Sequence, residues 1–297
     1  MLNRLDKISS ACVAFIVLAA IVFSAPLAQS QFVEKQVGYA FETPGFLGIP
    51  GPLAYDKERH RLAVSDAGRN LIYIFDLVER TYQTLGTNIE LKEPQGMAFD
   101  GTGSLYVTQQ SSSLLLKFAQ TGVLPETLNL KMADIHPGKI AIGTDGEILL
   151  CDKDNSSVNI INTSDSLITR LSKKLRQPDG VIMQQSGEIF VANKGIDPVM
   201  VFGKDGNYIR RLSRPESPTS QVSFAASGLA IDQRGWIYTL DINHFKLISY
   251  DPTGVNRIEW APPSSPFFPV DIAIDRYDAI YISDSGSGRV RIFVRGN

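Results

Sequence analysis

The chain has 297 residues, of which 43% are hydrophobic and 20% charged. That composition excludes a disordered or fibrous protein and leaves room for one large domain or two small ones. A formal net charge of -2 argues against a nucleic-acid partner, because affinity for phosphates needs a cationic surface.

At the N-terminus Arg4 and Lys7 precede an unbroken apolar run from Ala11 to Phe23, and Ser24-Ala25-Pro26-Leu27-Ala28-Gln29-Ser30 follows. A basic start, a short apolar stretch and small residues at a cleavage point are the grammar of a signal peptide, so residues 1–30 are expected to be removed after Ser30. The run is short for the roughly 20 residues that span a bilayer, but the longer stretch 11–28 would serve as an anchor if cleavage failed. Either outcome predicts an exported protein, periplasmic or extracellular, which touches a membrane only through an uncleaved 11–28 segment. Cys12 precedes the apolar run rather than ending it, so it is not placed like a lipidated cysteine. Removal of the segment would leave Cys151 alone, and the domain at 31–297 would then hold together without an intramolecular disulfide.

Beyond residue 45 the chain repeats itself with a period near 43. The leading segments are Gly51 to Asp56, Gln95 to Asp100, Gly138 to Gly143, Asp179 to Gln184, Ser227 to Asp232 and Val270 to Asp275. Each is followed by an apolar strand ending in a polar residue, a short loop, and a strand ending in an aromatic residue or Ile. The polar positions are Asp66, Gln109, Asp152, Asn193, Asp241 and Asp284; the closing residue comes nine positions later in every copy, as from Asp66 to Phe75 and from Asp284 to Phe293. Runs such as Ile148-Leu149-Leu150-Cys151 are apolar at consecutive positions, which requires burial on both faces. Turn signals such as Lys204-Asp205-Gly206 lead into a more polar fourth strand. Four strands per repeat and six repeats over about 45–297 predict an all-β, six-bladed β-propeller with four antiparallel strands in each blade.

The sixth repeat reaches Asn297 before a fourth strand can form. Residues 32–42, with Val37, Tyr39 and Phe41 in alternation, are expected to supply it and to close the ring, so that no edge is left unpaired.

Asp284-Ser285-Gly286-Ser287-Gly288-Arg289-Val290-Arg291-Ile292-Phe293, preceded by Pro269 and by Asp271 to Asp275, resembles the NHL repeat. The resemblance covers 45–297 and is sharpest in blade six. The arginine that the family places before the third strand is present only at Arg289, against Leu71, Leu114, Ser157, Pro198 and Lys246. What the resemblance implies is a scaffold that binds peptides, proteins or RNA, or in fewer cases an enzyme such as an amidating lyase or, distantly, a calcium lactonase. The fold alone does not choose.

Residues repeated in most blades are read as building parts, and unrepeated ones as site candidates. The polar ladder from Asp66 to Asp284 is expected to accept backbone N–H groups from the loop that follows each strand. The loops leading into first strands and those between second and third strands share one face of the disk. Gln95, Lys139, Asp179 and Asp271 lie in the first set and Phe245 in the second, while Phe267 and Phe268 lie between blades five and six. These seven are the predicted ligand-binding residues, an apolar patch beside a polar axial pocket. The alternative for the Phe pair is a plug in the seam between the blades.

No catalytic residues, metal ligands or cofactor are assigned. His60, His136 and His244 are the only histidines and do not share a face, which argues against a three-histidine zinc site. Calcium is the one metal with local donors, at Asp152-Lys153-Asp154-Asn155, although these lack the glycine and distal Glu of an EF-hand. The resulting expectation is a monomeric, non-catalytic module binding a protein, peptide or small ligand on its upper face; the alternative is a metal-dependent lyase or lactonase-type propeller enzyme.

Overall fold

The computed structural model describes residues 32–296 apart from 44, 111, 131–134, 163–166, 196, 213–223, 264 and 265. The expected signal peptide and 11–28 anchor lie outside the described residues. Among the described residues, no helix is long and apolar enough to cross a membrane.

Alternating pattern and turn chemistry set the strands, and the strands form six antiparallel sheets arranged as propeller blades. Blade one runs Pro50–Asp56, Arg61–Asp66, Leu71–Asp76 and Thr81–Leu85, each strand bonded to the next in sequence. The same order recurs in blades two to five, with first strands Pro94–Phe99, Pro137–Ile142, Val181–Met183 and Phe224–Ile231, except that Lys194–Gly195, between the second and third strands of blade four, adds a short fifth strand beside Phe224–Ile231. The repeat at Pro269–Ile274, Ile280–Asp284 and Arg289–Arg295 forms blade six. Its fourth strand is Phe32–Lys35, paired so that Phe32 faces Arg295 and Lys35 faces Ile292. The N-terminal strand therefore closes the ring.

Closure is shorter than the alternation predicts. The strand stops at Lys35, and Gly38, at a φ of 77°, turns the chain out of its extended path. The N–H groups of Val37 and Tyr39, which would otherwise be offered to a strand, donate instead to the Glu42 carboxylate. Phe41 then drops into the seam between blades six and one, stacked beneath Tyr39 at 5.0 Å and edge-on to Phe75 at 4.8 Å.

The core is divided among six seams, one between each pair of neighbouring blades. Successive residues of a middle strand serve opposite seams: Leu62 and Val64 pack between blades six and one, and Ala63 packs between one and two. Likewise Ile148 and Leu150 face blade two, while Leu149 and Cys151 face blade four. This is why those strands are apolar at every position.

The polar ladder does tie backbone, but chiefly to the loop in front of the blade's first strand rather than to the one that follows. Asp66 accepts the N–H groups of Gly48 and Ile49 at 2.8 and 3.0 Å, Gln109 that of Lys92 at 2.7 Å, Asn193 that of Arg176 at 2.6 Å and Asp284 that of Phe268 at 2.8 Å. The expected bonds to the loop that follows are made too, by Asp152 to Asn155 N, Asp241 to Asn243 N and Asp284 to Gly286 N. The ladder thus fixes the loops that frame the upper end of the ring axis.

Candidate functional site at the axial mouth

The innermost strands surround an axial channel whose wall includes Leu53, Met97, Ile140, Val181, Leu229 and Ile272. The side chains that line it are mostly apolar, and at its upper end, at Lys139, it meets a cavity of about 380 Å³. Four charged side chains meet there. Lys139, from blade three, and Asp271, from blade six, form an ion pair at 2.7 Å, both side chains close to fully buried. Lys153 and Asp179 form a second at 2.8 Å, with Asp179 buried and Lys153 more open.

The two pairs differ in how firmly they are held. Asp271 Oδ2 also accepts the N–H of Leu53 at 2.8 Å, and the backbone N–H of Asp271 donates to Ser283 Oγ at 3.0 Å. Gly228 lies against it so closely that a Cβ there would stand 2.6 Å from Asp271 Oδ1. Asp179 is fixed through its backbone, which donates to Ala192 O and accepts from Gly228 N. The ammonium of Lys139 is near its counter-charge but makes no well-directed hydrogen bond, and neither does Asp179 Oδ1. Buried polar atoms rarely go without partners, and two that border an open cavity have room to meet a water or a ligand there.

Gln95 lines the same cavity, its side-chain amide donating to Glu93 O at 3.1 Å. The structure thus brings Gln95, Lys139, Asp179 and Asp271 to one mouth. Phe245 and Phe268 stand beside it as a T-shaped pair with ring centroids 4.9 Å apart. Phe267 does not join them. It is 6% exposed and turned into the seam between blades five and six, against Phe293 and Arg291. Adjacent residues of an extended segment point to opposite sides, so Phe267 is the seam plug that the alternative reading described while Phe268 stays exposed. Lys153, whose partner Asp179 is on the next blade, was not among the predicted site residues, and its signal in the sequence was only a lysine in a second-to-third strand loop.

Other candidate groups are spent elsewhere. His136 pairs with Asp154 at 3.2 Å in the open, His244 with Asp241 at 2.7 Å, and His60 lies in the first hairpin of blade one against Tyr55. The Cys151 thiol sits beneath the mouth, but burial, with the nearby charge of Asp179, pushes it up to about 12 and removes it as a nucleophile.

A metal of the kind a lactonase resemblance implies does not suit this donor set. Among the described residues no three His, Cys, Asp or Glu side chains converge on a common point. Asp271 and Asp179 each already face an ammonium, so a cation entering between them would have to displace Lys139 or Lys153. At Asp152-Lys153-Asp154-Asn155 the Asp152 oxygens are taken by the backbone and side-chain amide of Asn155.

No protein-family model matches the chain, and no curated protein matches it. Among solved structures it is similar to a streptogramin B lyase, with a TM-score of 0.67 at 11% identity over 91% of this chain and 99% of that one. A luciferin-regenerating enzyme gives 0.67 at 12% over 90% and 98%, and a gluconolactonase from Xanthomonas campestris 0.65 at 15% over 84% and 86%. At these identities the likeness shows the fold, a six-bladed propeller. It also corrects the expectation of a non-catalytic binding module, because these neighbours are enzymes. The repeats that carried that expectation report the scaffold alone.

Proposed function

We propose that this propeller is an enzyme that opens a small lactone or related cyclic ester at its upper axial mouth. The observation that carries the reading is the buried Lys139 ammonium, held beside Asp271 with N–H donors to spare. A carbonyl oxygen in the mouth gains negative charge when its carbon is attacked, and an ammonium in a site of low dielectric stabilises that charge in advance. Asp271, clamped by Leu53 N and Lys139, is the positioning residue for the ammonium. Asp179, whose Oδ1 makes no directed hydrogen bond, is the general base: it takes a proton from water as the oxygen bonds to the carbonyl carbon, and returns it to the ring oxygen as the ester bond breaks. Gln95 is placed to hold the far side of the ligand. No metal enters these steps.

The name of one neighbour supports this substrate class, since it is a gluconolactonase. We also read the repeats as NHL-type on the strength of blade six, and residues 1–30 as an export signal that places the enzyme outside the cytoplasm as a monomer.

The test is turnover of a panel of five- and six-membered lactones by the purified full-length protein in chelator. Activity should survive chelation, and Lys139→Met should lower kcat at least 100-fold, the scale seen when one such donor is lost. Absence of turnover across the panel, or full loss of activity on chelation, would overturn the reading.

A further inference from the structure

The rim of the upper mouth differs from one side to the other. Over blades five, six and one it presents Phe245, Phe268 and Ile49, exposed by 42%, 44% and 53%. Over blades two and three it presents Glu93, Gln95 and Lys153. Isolated exposed apolar residues are ordinary, but the two phenylalanines are held in place rather than left over.

Phe268 is locked on both sides of its backbone: its N–H donates to Asp284 Oδ1 at 2.8 Å, and its carbonyl accepts from the N–H of Ser285 at 3.1 Å and the hydroxyl at 3.2 Å. The ring lies flat over Gly286, where a Cβ would stand only 2.2 Å from Phe268 Cδ2. Any other residue at 286 would lift the ring out of position. Phe245 has a φ of 55°, a left-handed conformation that a bulky residue adopts at a cost, and from there it meets Phe268 edge to face at 88°. Pro269, Val270 and Ser285, which flank Phe268, line the mouth cavity, so the pair and the charged floor belong to one continuous surface.

We infer that Phe245 and Phe268 form a specificity-determining subsite for an apolar, planar arm on the substrate whose ester carbonyl lies against Lys139. This deepens the lactone-opening reading and rests on it. Phe268 and Asp271 are three residues apart on an extended segment, which sets roughly 10 Å between the ring pair and the reacting end. A bare lactone cannot reach both. The substrate is therefore a lactone or cyclic ester with an aromatic arm on a spacer of several bonds.

The experiment compares two six-membered lactones with the same reacting ring, one bare and one carrying a phenylbutyl arm. The enzymes are the full-length protein, Phe245→Ala with Phe268→Ala, and Phe268→Tyr. The expected result is a preference for the armed lactone on the order of tenfold in kcat/KM, the worth of a good aromatic contact. The double variant should lose that preference, its KM for the armed lactone rising until the two lactones have equal kcat/KM; Phe268→Tyr should keep it. Equal kcat/KM for the two lactones in the parent protein, or a preference that persists in the double variant, would overturn the subsite. Should neither lactone turn over, the lactone-opening reading fails on its own, and calorimetric binding of the phenylbutyl compound decides this inference separately. Binding weakened in the double variant and kept in Phe268→Tyr upholds the subsite; binding that is absent or unaffected overturns it.

Discussion

Lys139 and Asp271 face one another across the ring axis, one carried by blade three and the other by blade six, and their side chains meet at 2.7 Å. In a ring of six blades these are opposite members, so one ion pair braces the full width of the channel as well as forming the floor of the mouth.

Stability and chemistry can be separated at that pair. Lys139→Met should cost about 3–5 kcal/mol, because it leaves the Asp271 carboxylate buried without its counter-charge. Adding Asp271→Asn should recover much of that loss, since the amide oxygen can still accept from Leu53 N while the stranded charge is gone. Thermal melts report the recovery. Lactone turnover should stay lost in both, because neither variant has the ammonium.

Closure of the ring depends on Arg291, whose buried guanidinium makes paired contacts of 2.7 and 2.6 Å with Glu34 and lies 3.5 Å from Asp284. Glu34→Gln should cost about 1–2 kcal/mol, the difference between charged and neutral acceptors for the same donor. Deleting 32–35 should do far more. It exposes the Arg289–Arg295 edge and removes Phe32 from its contacts with Trp260 and Tyr238. Soluble monomer on gel filtration should drop sharply, as an unpaired strand edge favours association.

Cys151 should be silent toward thiol reagents at neutral pH, being wholly buried with a thiol pushed up to about 12. In a Cys12→Ser background, labelling by an aromatic disulfide should begin only where the circular-dichroism melt begins. Stoichiometric labelling of the native protein at pH 7 would show that the seam between blades three and four opens readily.

His60 supplies a pH signature. Burial, followed by the charge of Arg276, holds its pKa below the ordinary 6.5, and its Nδ1 shares a proton with the Tyr55 hydroxyl at 2.7 Å. The folded state thus keeps His60 neutral where the unfolded chain would protonate it. Its contribution is complete above pH 6.5 and declines as pH falls through that value toward the lower folded pKa. His60→Asn tolerates the φ of 52° at this position and should flatten that part of the stability profile. Urea melts from pH 7.5 to 5 would show the change in slope.

The fold was legible because a blade must satisfy two neighbours at once, and that demand prints itself on the chain. It appears in Ile148-Leu149-Leu150-Cys151, in the ladder from Asp66 to Asp284, and in the even spacing of the leading segments. The mouth residues Gln95, Lys139, Asp179 and Asp271 could be placed on one face by topology. What could not be read was who meets whom. Lys139 and Asp271 are brought together only by the curvature of the whole ring, and Lys153 meets Asp179 across a seam. Local chemistry decided the other departures: Glu42 and Gly38 end the closing strand at Lys35, and the pleat sends Phe267 inward and Phe268 outward. The enzymatic character of the neighbours left no mark that repeats could carry.

The pairing of Phe32–Lys35 with Ile292–Arg295 joins the first described strand to the last. At the Glu34–Arg291 contact the two segments are 257 residues apart, so five blades can be complete while the sixth still waits for both its own final strand and its clasp. Until then the seam that holds Ile282 and Phe293 lacks Phe32 at its outer edge. Ring closure is consequently the last event, long in sequence separation and slow for that reason. The half-made disk is the species most in need of a chaperone, and a mutation that weakens the clasp would be felt first in yield rather than in the activity of the molecules that do mature.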